Sequence, residues 1–338
     1  MAEPSAPAPR ALVEVDGVHK HFDVSKPWLV RKLEGAPRLT LKAVDGISFS
    51  ILPGETFSLV GESGCGKSTV AKLAVGFYDA SGGQIRFDGM TVGGPKARRA
   101  MVPVRRRLQM IFQDPYASLN PRWRVREIIA EPLRAYRVLS DERQIRARVA
   151  ELLEQVGLAE RDGNKFPHEF SGGQRQRISI ARALSSDPEF IVCDEPTSAL
   201  DVSVQAQILN LMTDLQRRLG LTYLFISHDL AVVYHVSDRI GVMYLGRLCE
   251  VAEARTLFSN PRHPYTLLLL DAIPDLDMSG KEREPVRGEV PNPIDPPAGC
   301  AFHPRCPFAT ERCRRETPEL APFGDSQVAC HAVAEGRI

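Results

Sequence analysis

The chain has 338 residues, 43% hydrophobic and 25% charged, ordinary values for a globular protein with room for one large domain and an appendage. Its 43 basic residues against 42 acidic ones leave a formal charge of +1, so no global field draws it to nucleic acid or acidic lipid. Its longest apolar runs, such as residues 267–270, fall far short of the roughly 18 to 20 residues of a spanning helix, and the N-terminus lacks the basic start and apolar core of a secretion signal.

Residues 1–11, rich in proline and alanine, read as a disordered lead. Residues 12–258 then alternate strand-like and helix-like segments. Residues 56–60 (TFSLV) form a short apolar run ending at a glycine-rich loop, and residues 68–76 (STVAKLAVG) read as a helix closed by Gly76. From about 114 to 184 the pattern becomes mostly helical, with Val149, Leu152, Leu153 and Val156 in register before Gly157. This stretch is expected to be a helical subdomain inserted into the α/β core. Residues 190–193 read as a buried strand ending in acid. Residues 204–219 place Ile208, Leu211, Met212, Leu215 and Leu219 on one helical face, with Gly220 as the stop. The strand-like run 221–227 ends at His228. Strands whose C-terminal ends all deliver polar residues mark a parallel α/β sheet with its ligand at that edge. Proline and charge rise beyond this point, so residues 259–338 read as a C-terminal extension, loosely structured unless its cysteines organise it.

The run Gly61-Glu62-Ser63-Gly64-Cys65-Gly66-Lys67-Ser68, followed by Thr69, fits the phosphate-loop pattern fully. Its glycines let successive backbone N–H groups point at phosphate oxygens, at the positive end of the following helix. Lys67 is expected to reach the β- and γ-phosphates of ATP, and the Ser68 hydroxyl to ligate Mg²⁺. Cys65 reads as a small residue that fits the loop, with a reactive thiol as the alternative. Asp194 and Glu195 close the buried strand, Asp194 suited to hold hydrated Mg²⁺ and Glu195 to orient and deprotonate the attacking water. Gln113 can touch the metal or its water, and His228 can bond the γ-phosphate. Ser171, Gly172, Gly173 and Gln174 form a second phosphate-facing surface just before a helix. One polypeptide cannot easily fold both surfaces onto one nucleotide. That implies two subunits meeting head to tail with ATP between them, where Asp201 could contact the opposite subunit.

This ordered set resembles the nucleotide-binding subunit of ABC transporters over roughly residues 12–255. The resemblance implies a P-loop NTPase fold, a RecA-like α/β core with an antiparallel β edge and an inserted helical subdomain. It also implies the roles of phosphate loop, Q-loop (Gln113), signature (171–174), Walker B and catalytic Glu, D-loop and switch His. Phe170 stands where the signature usually has Leu. Phe22 occupies the region where the family stacks an aromatic on adenine, an edge-strand core residue being the alternative.

A narrower resemblance rests on the phosphate loop, residues 112–122 (FQDPYASLNPR), residues 263–267 (HPYTL) and the insert between Phe22 and Ala43 with Trp28. These are similar to dipeptide/oligopeptide importer ATPases, F-type subunit. That implies a related second ATPase, two permeases and a solute-binding protein as partners, no nucleic acid, and a peripheral place on the cytoplasmic face of the bacterial inner membrane. Nickel and glutathione importers share these features, and a soluble ABC ATPase acting on nucleic acid is the remote alternative.

Seven cysteines are unevenly placed, four of them crowding the last forty residues as Cys300, Cys306, Cys313 and Cys330. They lack a C-x₂-C knuckle, which weakens a zinc reading. Four thiolates in a proline-rich segment could nucleate a fold around a [4Fe–4S] cluster, which the family resemblance also implies; zinc and free thiols are the alternatives. The basic runs 96–99 and 105–107 read as solvated faces, with lipid headgroups or the permease as alternative contacts.

Overall fold

The computed structural model describes residues 10–92, 104–271 and 288–338. Most of the expected lead and the basic run 96–99 lie outside the described residues. In chain order, β1 (Val13–Asp23) and β2 (Thr40–Ile51) flank α1 (Trp28–Glu34), and β3 (Thr56–Val60) leads to α2 (Lys67–Ala74). Next come β4 (Gly82–Phe87), β5 (Met90–Val92) and β6 (Leu108–Ile111). A helical stretch follows, with α3 (Pro115–Ser118), α4 (Val125–Ala135), α5 (Glu142–Gln155) and α6 (Gly172–Leu184). The core resumes with β7 (Phe190–Asp194), α7 (Val202–Leu219), β8 (Thr222–Ile226), α8 (Leu230–Val236), β9 (Arg239–Tyr244) and β10 (Arg247–Glu253). Two helices, α9 (Ala254–Ser259) and α10 (Pro264–Asp271), precede the extension, which holds α11 (Glu311–Arg315), β11 (Ala321–Phe323), β12 (Ser326–Val328) and α12 (His331–Ala334).

Two sheets result. Four antiparallel strands run in the order β2-β1-β4-β5, and eight run in the order β11-β12-β10-β9-β3-β8-β7-β6. Within the larger sheet β6, β7, β8, β3 and β9 are parallel, so their C-terminal ends share one edge. Strands β3, β7 and β8 are buried at every residue, as expected of parallel strands covered on both faces. Side chains alternate between those faces. Ile191, Cys193, Tyr223 and Phe225 point toward the core that holds Ile129, Leu133, Leu152 and Ile178 of the helical stretch. Phe190, Val192, Leu224 and Ile226 point toward α2 and the antiparallel sheet. The helical stretch is therefore rooted in one face of the sheet.

Helix α5 buries Ile145, Val149, Leu152 and Leu153, the spacing of one helical face. In α7 the buried stripe is Ile208, Leu209, Met212 and Leu215. Leu219 is 47% exposed, because it sits in the last turn, where Gly220 at φ 66° ends the helix. The extension is built into the core rather than hung from it. Strand β12 pairs with β10, and Phe302, Cys300 and Cys306 pack into one cluster with Val242, Tyr244 and Tyr265. Arg107 of the 105–107 run is fastened by ion pairs to Glu189 and Asp88. No helix among the described residues is long and apolar enough to cross a membrane.

Candidate nucleotide site and its surroundings

Strand β3 ends at Val60 and the chain curls into the 61–66 loop before α2 begins at Lys67. Two glycines make the curl possible. Gly61 has φ 149° and Gly66 φ 108°; a Cβ there would lie 2.2 Å from the Met243 carbonyl oxygen and 2.1 Å from that of Ala43. Lys67 is buried inside the curl, its Nζ donating to the carbonyls of Gly61 (2.7 Å) and Glu62 (3.1 Å). Ser63 and Gly64 are exposed at the loop's crest. Cys65 is buried, and burial raises its thiol pKa against the pull of Lys67.

At the adjacent strand end, Ser68 Oγ donates to Asp194 Oδ1 at 2.9 Å. Asp194 is buried, and burial raises its carboxyl against the pull of the Ser68 hydroxyl and Lys72. One residue on, Glu195 takes φ 48°, a left-handed backbone unusual for a residue with a side chain. Its N–H is fixed by the Ile226 carbonyl at 3.0 Å. Its Oε2 accepts from Gln113 Nε2 at 2.9 Å and lies 3.2 Å from His228 Nδ1. Three residues read separately along the chain thus meet at one carboxylate oxygen, at the shared edge of β6, β7 and β8. Such an oxygen can hold and deprotonate a water while its neighbours fix its direction.

Other expected site residues stand apart from this cluster. Phe22 on β1 meets Tyr78 edge-on at 5.4 Å, with Lys20 Nζ 4.9 Å over its ring. Ser171 caps α6, its Oγ accepting from the Gln174 N–H while the Gln174 side chain accepts from the Ser171 N–H. Gly172 and Gly173 are small for a reason internal to the chain, since Cβ atoms there would lie 3.3 Å from Leu200 and 2.4 Å from Val204. That close approach seats the 171–174 helix start against the start of α7, where Asp201 stands as the N-cap.

The four C-terminal cysteines are neighbours. Burial is the main influence raising the Cys300 and Cys306 thiols to about 11, and each feels charge on Cys313 and Cys330. A tetrahedral zinc site needs sulfurs about 3.8 Å apart. Among the described residues, the group whose donor atoms all lie within 4.8 Å is His19, His21 and Asp45, not the cysteines. The all-thiol donor set is of a kind that both iron–sulfur clusters and zinc use.

Sequence reasoning missed how the loop is held from the far end of the chain. Arg305 donates to both carboxylate oxygens of Glu62, at 2.7 and 3.0 Å. The Glu62 N–H donates to the Tyr265 hydroxyl at 2.9 Å. These partners lie 243 and 203 residues away in sequence, and no local pattern announces them.

The family described as ABC transporter matches residues 44–198, and the family described as oligopeptide/dipeptide transporter, C-terminal region, matches residues 249–313. Among solved structures, the dimeric post-hydrolysis state of the ATP-binding cassette MJ0796 with ADP and Pi aligns with a TM-score of 0.62 and 27% identity, covering 72% of this chain and 99% of that one. Among curated relatives, the oligopeptide transport ATP-binding protein AppF of Bacillus subtilis is 48% identical over 95% of this chain and 97% of its own. The di/tripeptide transport ATP-binding protein DppF of Pseudomonas aeruginosa is 50% identical over 92% and 94%.

Fold and site together define an ATP-hydrolysing ABC cassette, a P-loop NTPase. The chain belongs to the oligopeptide/dipeptide transporter family of ABC ATP-binding proteins.

Proposed function

We propose that this chain hydrolyses ATP to drive a membrane importer of di- and oligopeptides. The observation that carries the reading is the meeting of Gln113 and His228 on Glu195 Oε2, beside the Ser68–Asp194 hydrogen bond. Backbone N–H groups of 61–68 and the Lys67 ammonium bind the phosphates, and Phe22 offers its ring to the adenine. The oxygen donors of Ser68, Asp194 and Gln113 suit Mg²⁺, which when bound neutralises phosphate charge. Glu195 orients the attacking water and takes its proton, and His228 donates to the γ-phosphate.

The start of α6, residues 171–174, where Ser171 and Gln174 are exposed, caps the nucleotide on a partner chain, with Asp201 at the same interface. The family relationship supports a second, related ATPase as that partner, with two permeases and an extracytoplasmic solute-binding protein completing the complex. A groove of about 470 Å³ between the core and the helical stretch, lined by Phe77, Phe112, Glu131, Tyr136 and Arg182, suits a permease segment. Phe77 and Tyr136 are exposed there, and their apolar surface beside Gln113 couples nucleotide state to the membrane partner. The chain then works peripherally at the cytoplasmic face of a bacterial inner membrane. Cys300, Cys306, Cys313 and Cys330 would hold an iron–sulfur cluster that staples the extension, and iron and sulfide analysis of anaerobically purified protein separates this from zinc.

The test uses the reconstituted transporter in vesicles. Di- and oligopeptides delivered by the binding protein should stimulate phosphate release, and Glu195→Gln should lower release about 10³-fold while ATP stays bound. Stimulation by nickel or glutathione alone would overturn the peptide assignment. Wild-type turnover in Glu195→Gln would overturn the base assignment.

A further inference from the structure

The crest of the phosphate loop has little to hold it. Ser63 and Gly64 are exposed, and Gly61, Gly64 and Gly66 all take positive φ, backbone that residues with side chains rarely adopt. Glu62 is the residue through which the first half of the loop is anchored to the rest of the molecule. Its N–H ends on Tyr265, its carboxylate on Arg305, and its carbonyl accepts the Lys67 ammonium.

Both anchors come from the C-terminal part of the chain and both are themselves locked. The Tyr265 ring is fully buried, 4.7 Å from Tyr244 and 5.4 Å from Phe302 between ring centres. Its backbone N–H donates to His263 Nδ1 at 3.0 Å, and the His263 N–H donates to Glu250 Oε2 at 2.8 Å. Residues 263–266 are thus a buried bracket that presents one hydroxyl to the loop. Arg305 closes the short 3₁₀ turn His303–Arg305, directly before Cys306. Its side chain is only 3% exposed, against 27% for Glu62. Its guanidinium also packs near the Tyr244 and Phe302 rings. A two-pronged guanidinium–carboxylate pair fixes direction as well as distance.

We propose that Arg305 and Tyr265 are positioning residues of the nucleotide site, through which the cysteine-bearing extension sets ATP affinity. Two effects act together. The pair and the Tyr265 hydroxyl hold the Glu62 carbonyl where Lys67 rests, so the loop is ordered before ATP arrives. Arg305 also neutralises a carboxylate that would otherwise repel a triphosphate bound at the same loop. By linkage, whatever orders the extension tightens ATP binding, and ATP orders the extension in return. The inference rests on the 61–68 loop binding ATP.

Equilibrium binding of a fluorescent ATP analogue to the full-length chain, with steady-state kinetics of the assembled transporter, tests it. Arg305→Met should weaken ATP binding about tenfold and raise KM by the same factor, with kcat within about twofold, because the loss is of uniform binding. Arg305→Met combined with Glu62→Gln should bind ATP about threefold more tightly than Arg305→Met alone, since the stranded carboxylate is gone, yet more weakly than wild type, since the pair is still missing. A merely structural Arg305 would give no such rescue. Hydrogen exchange supplies a readout that leaves the extension's own residues unaltered. MgATP should protect residues 299–315 in the wild type, and the protection should vanish in Glu62→Gln. Unchanged ATP affinity in a folded Arg305→Met chain, a double variant no better than the single one, or undiminished protection in Glu62→Gln would overturn the proposal. A wild-type chain that bound no ATP would overturn the reading beneath it.

Discussion

The nucleotide edge and the C-terminal extension are built by opposite means. At the edge, each functional group is delivered by a local unit: a strand that ends, and the residues or short loop that follow it. In the extension, short elements pair locally, as β11 does with β12, and are seated by partners that lie far away in sequence. β12 is three residues long and exists because β10 offers it an edge, and Phe302 is 2% exposed because Tyr244 and Tyr265 surround it. Short strands and helices of this kind have little stability of their own. The difference shows that the edge gathers contiguous motifs from neighbouring strands, while the extension depends on contacts between distant parts of the chain.

The first way to break this comparison is to remove the aromatic that joins the two regions. Phe302→Ala should cost about 3–5 kcal/mol of unfolding free energy, read from urea denaturation, because a ring buried among Tyr244, Tyr265 and His263 leaves a cavity. A cost under about 1 kcal/mol would mean that the extension is an ornament on the core. A smaller effect sharpens the same contrast through pH. Burial lowers the His263 pKa from 6.5 to about 4, so the folded chain keeps that imidazole neutral where the unfolded chain protonates it. Its contribution is therefore complete above about pH 6.5 and is lost as pH falls toward 4. At pH 5 the loss should reach about 2 kcal/mol. His263→Asn, which keeps an acceptor for the Tyr265 N–H, should flatten the stability profile between pH 7 and 5. Equal slopes in variant and wild type would contradict the assignment.

How much could be read from sequence follows from the same distinction. The loop at 61–68, the acids at 194 and 195 and the helix start at 171 were legible because each couples an apolar run or a cap to the polar residues beside it. The helical stretch was legible from the register of Val149, Leu152 and Leu153. That Gln113, Glu195 and His228 share one oxygen was not, since it depends on β6, β7 and β8 lying side by side. The strands of the extension were illegible, being too short to show an alternation. The Arg305–Glu62 pair was illegible for a different reason. An arginine in a charged, proline-rich segment carries no mark of its partner until the chain has folded.

On the proposed function, hydrolysis needs glycine-rich backbone from two chains around one nucleotide. Ser171→Arg tests it most directly, because Ser171 is exposed at a helix start and its own chain's phosphate loop is intact. Phosphate release by the assembled transporter should fall at least about 100-fold. In the same preparation, the isolated variant chain should bind ATP within about twofold of wild type. Wild-type phosphate release by Ser171→Arg would contradict the two-chain site.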